Sequence, residues 1–290
     1  MENNKTKSIT IVGGGSSGWM TAMYLNHLYR KEKQNIKVRL VESADIGILG
    51  VGEATVHSIR FFFAAMGLDE QELLSETQAT YKTGIMFRNW MKPHQDKVHE
   101  YFHPFEQIKF GNGFDLSTSW LLSQKLSGQR YDEGTCISSE LIKHQHGPKT
   151  ANSKGYTGIV PYGYHIDANQ LARFLRKKAV AAGVEHIEAT VEKINTDNQN
   201  IISIETDNGV FESDYFIDCT GFKGLLINAV SEDNWVSYED ALPCNKAVAV
   251  QRKYPAEQQP KPYTEATALS NGWVWQIDLI NRQGTGYVYD

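Results

Sequence analysis

The chain is short of several things, and each shortage closes off a class of function. Only three cysteines occur in 290 residues: Cys136, Cys219 and Cys244. They are odd in number, scattered, and form no C-x-x-C pair, so no disulfide framework is expected and a reducing cytoplasm is the expected compartment. No apolar run reaches the ~20 residues that span a bilayer. Met1-Glu2-Asn3-Asn4-Lys5 lacks the apolar core of a secretory signal, so no membrane partner is expected. Nor is there an excess of one charge. With 29 Lys and Arg against 34 Asp and Glu, the net charge is -5, which argues against a nucleic-acid partner or an anionic membrane surface. No His or Cys pair stands at zinc spacing. His144 and His146 are two apart in a polar stretch and read as solvated, so no metal site is expected. Repeats and low-complexity segments are lacking too. The apolar share of 41% and aromatic share of 11% are ample for the core of one large domain or two interleaved ones.

What is present starts at Gly13-Gly14-Gly15-Ser16-Ser17-Gly18. These residues follow the β-branched run Ile9-Thr10-Ile11-Val12 and precede an apolar-periodic stretch. The order is strand, glycine turn, helix, with G-x-G-x-x-G spacing at Gly13, Gly15 and Gly18. Gly13 makes the tight turn, Gly15 lets a pyrophosphate approach bare backbone, and Gly18 lets the helix pack close to the strand. The helix N-terminus then turns its amides toward phosphate. An acid is needed at the end of the next strand to hold a ribose hydroxyl, and Glu42 closes Ile36-Lys37-Val38-Arg39-Leu40-Val41.

Periodicity predicts a helix over 60–74 with a weak point at Gly67, and a strand over 81–90 in which Tyr81, Thr83, Ile85 and Phe87 alternate with Lys82, Gly84, Met86 and Arg88. Residues 91–160 read as irregular. A helix is expected over 168–182, with Leu171, Phe174, Leu175 and Ala179 buried, Asp167 or Asn169 capping it and Gly183 ending it. Short strands at 190–194, 201–206 and 209–211 turn at Asn198 and Asn208. They lead to a buried parallel strand at 215–219 that ends Asp218-Cys219-Thr220-Gly221. The expected class is α/β: an FAD-binding, two-dinucleotide-type, Rossmann-like flavoprotein fold with an inserted substrate-pocket region. Nucleotide-binding segments are expected at about 7–90 and 162–230, the insertion at about 91–161, and the start of a substrate-side sheet at about 240–290. The late strand end at 218–221 favours FAD over NAD. One G-x-G-x-x-G leaves no separate nicotinamide domain, so the reductant comes from outside.

At Gly50-Val51-Gly52-Glu53-Ala54-Thr55 the reading sharpens. Together with Gly13 to Met20, the chain resembles the flavin-dependent tryptophan halogenases. The likeness continues at Tyr81-Lys82-Thr83-Gly84-Ile85, Tyr101-Phe102-His103-Pro104-Phe105-Glu106, Tyr162-Gly163-Tyr164-His165-Ile166-Asp167-Ala168 and 218–228. It closes on Gly272-Trp273-Val274-Trp275-Gln276-Ile277, a W-x-W-x-I element close to diagnostic of that family. Asp278 stands where the family motif continues with proline. Family members are also considerably longer, and the chain is expected to be C-terminally truncated relative to them, without the part that carries a catalytic glutamate and the halide loop.

The resemblance implies an FADH2-dependent halogenase. Reduced flavin and O2 form a C4a-hydroperoxide, chloride or bromide attacks it, and the resulting hypohalous acid travels to a tryptophan or other indole held elsewhere. It implies FAD contacts at Gly13, Gly15, Ser16, Ser17, Gly18, Glu42, Ser43, Gly52, Glu53, Ala54, Val191 and Gly221, with the 50–55 loop as a strap over the flavin. It implies substrate contacts at Ile85, His103 and Phe105, a flavin-side pair at Trp273 and Trp275, and a catalytic Lys82. A separate flavin reductase is the expected functional partner, and a homodimer the expected assembly. Lys82 has two open roles. As a nucleophile it needs its pKa lowered from ~10.4 by ~3 units, which costs about 4 kcal/mol. As an ammonium donating a hydrogen bond to the hypohalous oxygen it needs no shift, and on cost the donor role is favoured. The alternatives are a flavin-dependent hydroxylase and an inactive FAD-binding fragment.

Overall fold

The structure is a computed structural model that describes residues 7–47, 54–92, 98–107, 116–231, 235–255 and 258–290, with the backbone alone for 125–127. In chain order the elements begin β1 (Lys7–Val12), α1 (Ser16–Lys31), β2 (Ile36–Glu42), α2 (Ile59–Ala65), α3 (Glu70–Glu76), β3 (Thr80–Lys82), β4 (Gly84–Arg88) and β5 (Glu100–Pro104). Next come α4 (Leu116–Ser127), α5 (Tyr131–Thr135), α6 (Ile137–Lys143), β6 (Gly163–His165), α7 (Ala168–Ala181) and β7 (Glu185–Glu188). The last are β8 (Val191–Asp197), β9 (Asn200–Thr206), β10 (Gly209–Glu212), β11 (Tyr215–Asp218), α8 (Leu225–Val230), β12 (Lys246–Arg252), β13 (Thr264–Leu269), β14 (Gly272–Asp278) and β15 (Gln283–Tyr289). By compactness the chain divides into Met1–Gly50 with Ala168–Ser237, and Val51–Asp167 with Tyr238–Asp290.

The first unit is Rossmann-like. Its parallel sheet has the order β11-β1-β2-β7. Ile9, Thr10, Ile11 and Val12 are all buried, as a central parallel strand covered on both faces requires. Helix α1 packs on α7, burying Trp19, Ala22 and Met23, and Asn26 Nδ2 donates to the Ala182 carbonyl at 3.0 Å. Helix α7 buries the expected Leu171, Phe174, Leu175 and Ala179, and Gly183 follows it at φ +99°. Strands β8, β9 and β10 form an antiparallel sheet that turns at Asn198 (φ +54°) and Gly209 (φ +120°). Val12, Val41, Ala189, Ile204 and Leu226 make a core cluster that joins this sheet to the parallel one. Strand β11 departs from expectation: it is the edge of its sheet, and Tyr215 is 65% exposed.

The second unit carries a six-stranded sheet, β12-β15-β14-β13-β4-β5, antiparallel except where β13 meets β4. Trp275 stands opposite Ala266 and Gly286. A Cβ on Gly286 would come within 2.1 Å of the indole, so the small residue makes room for the ring. Strands β3 and β6 form a separate two-stranded ribbon. Three expectations are corrected here. The helix over 60–74 is two helices, α2 and α3. The chain breaks at Gly67 (φ +67°) and restarts where Asp69 Oδ1 accepts from the Glu72 amide at 2.8 Å. The strand over 81–90 is β3 and β4, which belong to different sheets. Between them Thr83 donates its amide to the Pro262 carbonyl at 2.8 Å. Residues 91–160 are not irregular. Within them β5 pairs with β4, and α4, α5 and α6 follow. Phe102 alone is buried between exposed Tyr101 and His103, too short an alternation to stand out. Among the described residues no helix is long and apolar enough to cross a membrane.

Candidate active site

The first unit builds a cradle from glycines at the carboxyl ends of its parallel strands. Gly13 has φ +112°, and a Cβ there would lie 2.2 Å from the Cys219 carbonyl oxygen; one on Gly18 would lie 1.9 Å from the Gly13 oxygen. Packing alone demands both. Gly15 differs, since a Cβ there would meet nothing within 4 Å. It is the N-cap of the 16-residue α1, without a side-chain cap, and no acid stands in the first turn. The amides of Ser16, Ser17 and Gly18 therefore open a helix suited to phosphate.

Glu42 folds across this turn, with Oε2 1.5 Å from where a Gly14 Cβ would stand. Its Oε1 pairs with Arg176 at 3.3 Å and lies 2.9 Å from His186 Nε2, the latter without hydrogen-bond alignment. Ser43 Oγ lies 2.8 Å from Thr190 Oγ1. Val191 packs its side chain on the core cluster. Gly221, at φ +63°, has open space at its Cβ position. The Asp218 carboxylate accepts from Thr220 N (2.9 Å), Thr220 Oγ1 (2.6 Å), Leu226 N (2.8 Å) and Ile227 N (3.0 Å). Burial alone would raise its pKa, but these hydrogen bonds outweigh burial and hold it below the ordinary value. Asp218 thus ties down the turn that Gly221 opens.

The second unit places Lys82 on the β3–β6 ribbon. Thr80 pairs with His165 and Lys82 with Gly163. Thr80, Lys82 and His165 therefore share one face, and Tyr81 and Tyr164 the other. Lys82 is 4% exposed. Its Nζ stands 5.2 Å from the centroid of Phe105, whose amide donates to the Thr83 carbonyl at 2.8 Å. Among the described residues no carboxylate pairs with the ammonium, and burial alone pushes it down to about 8. Across the ribbon Gly163 leaves room for a neighbouring segment: a Cβ there would lie 2.9 Å from Thr55 Oγ1 and 3.0 Å from the Val56 backbone. His57, next along, sets its ring 5.4 Å from Phe105 at an interplanar angle of 50°. Ile85 and His103 face each other across β4 and β5.

Both faces of the ribbon are backed by buried polar groups. On the lysine face, His165 is wholly buried, with Nδ1 3.2 Å from the Asp278 carbonyl and Nε2 2.9 Å from Thr264 Oγ1. A carbonyl only accepts, so Nδ1 donates and Nε2 accepts from the threonine. Burial first, and then the charge of Lys82, push the imidazole down to about 3 against the opposing Asp278 hydrogen bond; it is neutral at physiological pH. Asp278, where the resemblance expects proline, is itself buried, its carboxylate accepting from Lys261 N (2.9 Å) and Gln283 Nε2 (2.6 Å).

Behind Tyr81, the Glu70 carboxylate accepts from Tyr162 OH (2.6 Å), Tyr164 OH (2.7 Å), Tyr156 N (2.7 Å) and Lys149 Nζ (2.6 Å). Burial would raise its pKa, yet these partners together hold it below the ordinary 4.5. Its stabilising contribution is thus complete at neutral pH and disappears as pH falls through that lowered value. In urea at pH 7, Glu70→Ala is expected to lose about 3 kcal/mol, because two buried tyrosine hydroxyls and the half-buried Lys149 lose their shared acceptor. The gap from wild type should narrow below pH ~4.5.

The structure thus sets Lys82 on Phe105 and Ile85 opposite His103. Trp273 and Trp275 lie 6.1 Å apart on one face of β14, with Trp90 6.1 Å from Trp273. Ala54 bridges to His165. Gly52 and Glu53 lie outside the described residues. Sequence reasoning passed over His57, Glu70 and the contacts of His165. The one signal for Glu70 was a tyrosine-rich block, Tyr156, Tyr162 and Tyr164.

A family model described as tryptophan halogenase matches residues 8–290. The tryptophan 6-halogenase of Streptomyces toxytricini is 37% identical over 313 aligned residues, covering 100% of this chain and 58% of that protein. The tryptophan 7-halogenase of Lentzea aerocolonigenes is 34% identical over 304 residues, covering 99% of this chain and 56% of that protein. Among solved structures, the tryptophan halogenase of Shewanella frigidimarina superposes with a TM-score of 0.90 at 32% identity, over 99% of this chain and 56% of that one. The chain spans a little over half the length of these relatives. A match over nearly the whole chain, together with the glycine cradle and the buried lysine, makes this chain a member of the tryptophan halogenase family.

Proposed function

We propose that the protein is a flavin-dependent halogenase acting on tryptophan or another indole. The observation that carries this reading is Lys82, a buried ammonium with burial as its only perturbation, set over an aromatic ring. A cation this dry is costly unless it is used. The cradle fits FAD: Gly13 and Gly18 shape it, Gly15 leaves the space a pyrophosphate needs, and Glu42 stands where a ribose hydroxyl would bind. The flavin, reduced by a separate reductase, would with dioxygen and chloride or bromide supply the oxidised halogen. Lys82 would donate a hydrogen bond from Nζ to the oxygen of that species and polarise the halogen toward the indole. Phe105 would offer a flat aromatic surface to the ring and Ile85 an aliphatic one, with His103 opposite Ile85.

The test is to incubate purified protein with FAD, a flavin reductase, NADH, halide and tryptophan or indole. Methionine is added to scavenge free hypohalous acid. Regioselective halogenated product, seen by mass spectrometry with these residues carried in a chain of the relatives' full length, is the expected result. Hydroxylated product formed without halide would replace this reading with a flavin hydroxylase.

A further inference from the structure

Strand β5 is the edge of its sheet, and among the described residues β4 is its one strand neighbour. The ladder holds such a strand on one side only, so other contacts decide where its end lies. Helices α5 and α6 supply them at both ends of β5. At its start, Arg130 pairs with Glu100 at 2.7 Å and with the buried Asp132 at 2.9 Å, and Asp132 accepts from Ser139 Oγ at 3.0 Å. Just past its other end, the Glu106 carboxylate accepts from both the amide and the hydroxyl of Ser138, each at 3.0 Å. Ser138 is wholly buried, and Cys136, the N-cap of α6, makes no side-chain capping bond of its own. Glu106 thus caps that helix from another segment. Its neighbour Phe105 donates its amide to the Thr83 carbonyl at 2.8 Å. The backbone is therefore anchored on both sides of the ring that lies against Lys82.

We infer that Glu106 is a positioning residue: by accepting from Ser138 it holds Phe105 against Lys82 and keeps water from the ammonium. The inference rests on the reading of Lys82 as the working cation of the site. Lys82 is nearly closed to solvent, and among the described residues no carboxylate pairs with it, so the groups that cover it set its properties. His165 shares its ribbon face and is neutral at physiological pH. Tyr81 lies on the other face, backed by Glu70. His57 meets Phe105 ring to ring. Phe105 stands outside the ribbon, and its place depends on how β5 ends. Losing Glu106 has two effects of opposite sign. Loss of a negative charge alone lowers the pKa of a nearby lysine, whereas release of Phe105 lets water reach the ammonium and raises it. The direction of the change therefore separates positioning from charge.

The experiment is an NMR pH titration of protein whose lysines carry a carbon-13 label at Cε, with Lys82 assigned as the resonance missing from Lys82→Met. In wild type that resonance is expected to titrate near pH 8. Glu106→Ala should raise the midpoint by about 1 pH unit or more. Glu106→Gln keeps an oxygen that accepts from Ser138 and should titrate near wild type. Ser138→Ala keeps the amide donor and loses the hydroxyl; it should shift in the same direction by less, and it carries the test where Glu106→Ala does not fold. Three results would overturn the inference: an unchanged or lowered midpoint in the folded variants, a shift in Glu106→Gln as large as that in Glu106→Ala, or a wild-type Lys82 that titrates like an exposed lysine. The first two leave the halogenase reading standing, because no turnover is involved, and the third removes the observation that carries it as well. A raised midpoint in Glu106→Ala, with no halogenated product from wild type in the assay above, would strike that reading alone.

Discussion

Lys82→Met should give a protein that is more stable than wild type and makes no halogenated product. The ammonium is pushed from 10.5 to about 8 by burial. A lysine whose folded pKa lies below its unfolded value destabilises the folded state at every pH below about 8. That penalty fades as pH rises from 8 toward 10.5, because only there does the unfolded chain hold the extra proton. Its full size is about 3 kcal/mol. Methionine keeps most of the stem and drops the charge, so the larger part of that penalty should return as stability and raise Tm by several degrees. Differential scanning calorimetry at pH 7 and pH 10 checks this: the variant's advantage should be present at pH 7 and shrink at pH 10. Product formation should fall by ~10² or more, with FAD affinity unchanged, since Lys82 is not part of the glycine turn or of the Asp218 turn. A Lys82→Met protein that halogenates at near wild-type rate, or that melts lower than wild type, would show that the buried charge is structural.

The same value separates the two roles of the lysine. At pH 7 a group with pKa about 8 is mostly ammonium. The free energy needed to expose the neutral amine is then about 1.4 kcal/mol, well under the cost for an ordinary lysine, so the structure narrows the gap between donor and nucleophile. The donor role predicts that halogenation falls as pH rises through about 8, and the nucleophile role predicts that it rises. Neutral His165 on the same face and the uncharged Phe105 contribute no titration to that limb.

The parts of this fold that could be read from sequence are those whose constraints are local. Ile9 to Val12 announces a parallel strand because all four residues are buried, and the glycine turn after it follows from a few backbone contacts. Helix α7 shows its buried stripe because one face meets the core and the other meets water. Alternation put Lys82 on a strand, but nothing local says that it is buried. Its burial depends on Phe105, just past the end of β5, and on β6, some eighty residues away. Only the family resemblance singled it out. Glu70 opens a short helix in a charged stretch and reads as solvated, yet it is buried by Tyr162, Tyr164 and Lys149. Gly286 looks like a turn residue and is instead the floor under Trp275. For Lys82 and Glu70 the partners are remote in sequence, and for Gly286 the partner lies across a hairpin; in each case the contact is specific to the tertiary fold, so no periodicity records it.

The two glycines that flank Ser16 and Ser17 should separate folding from cofactor binding. Gly18→Ala forces a Cβ to 1.9 Å from the Gly13 carbonyl oxygen. Backbone cannot yield that far without opening the turn, so the variant should lose about 1–3 kcal/mol of stability and all measurable FAD binding. Gly15→Ala adds the same methyl group where nothing lies within 4 Å. It should cost no more than about 1 kcal/mol, because alanine is a poorer N-cap than glycine but meets no clash here. If the open face of Gly15 is where the pyrophosphate lies, that methyl occupies the ligand's own space and removes the approach to the α1 amides. FAD affinity should then fall by at least tenfold in a protein that melts like wild type. Urea unfolding and flavin fluorescence titration on the two variants give the comparison. Wild-type FAD affinity in Gly15→Ala would mean that the cradle, although shaped for a pyrophosphate, does not hold one there. Normal FAD binding in Gly18→Ala would mean that the turn can relax in a way its contacts with Gly13 and Cys219 do not allow.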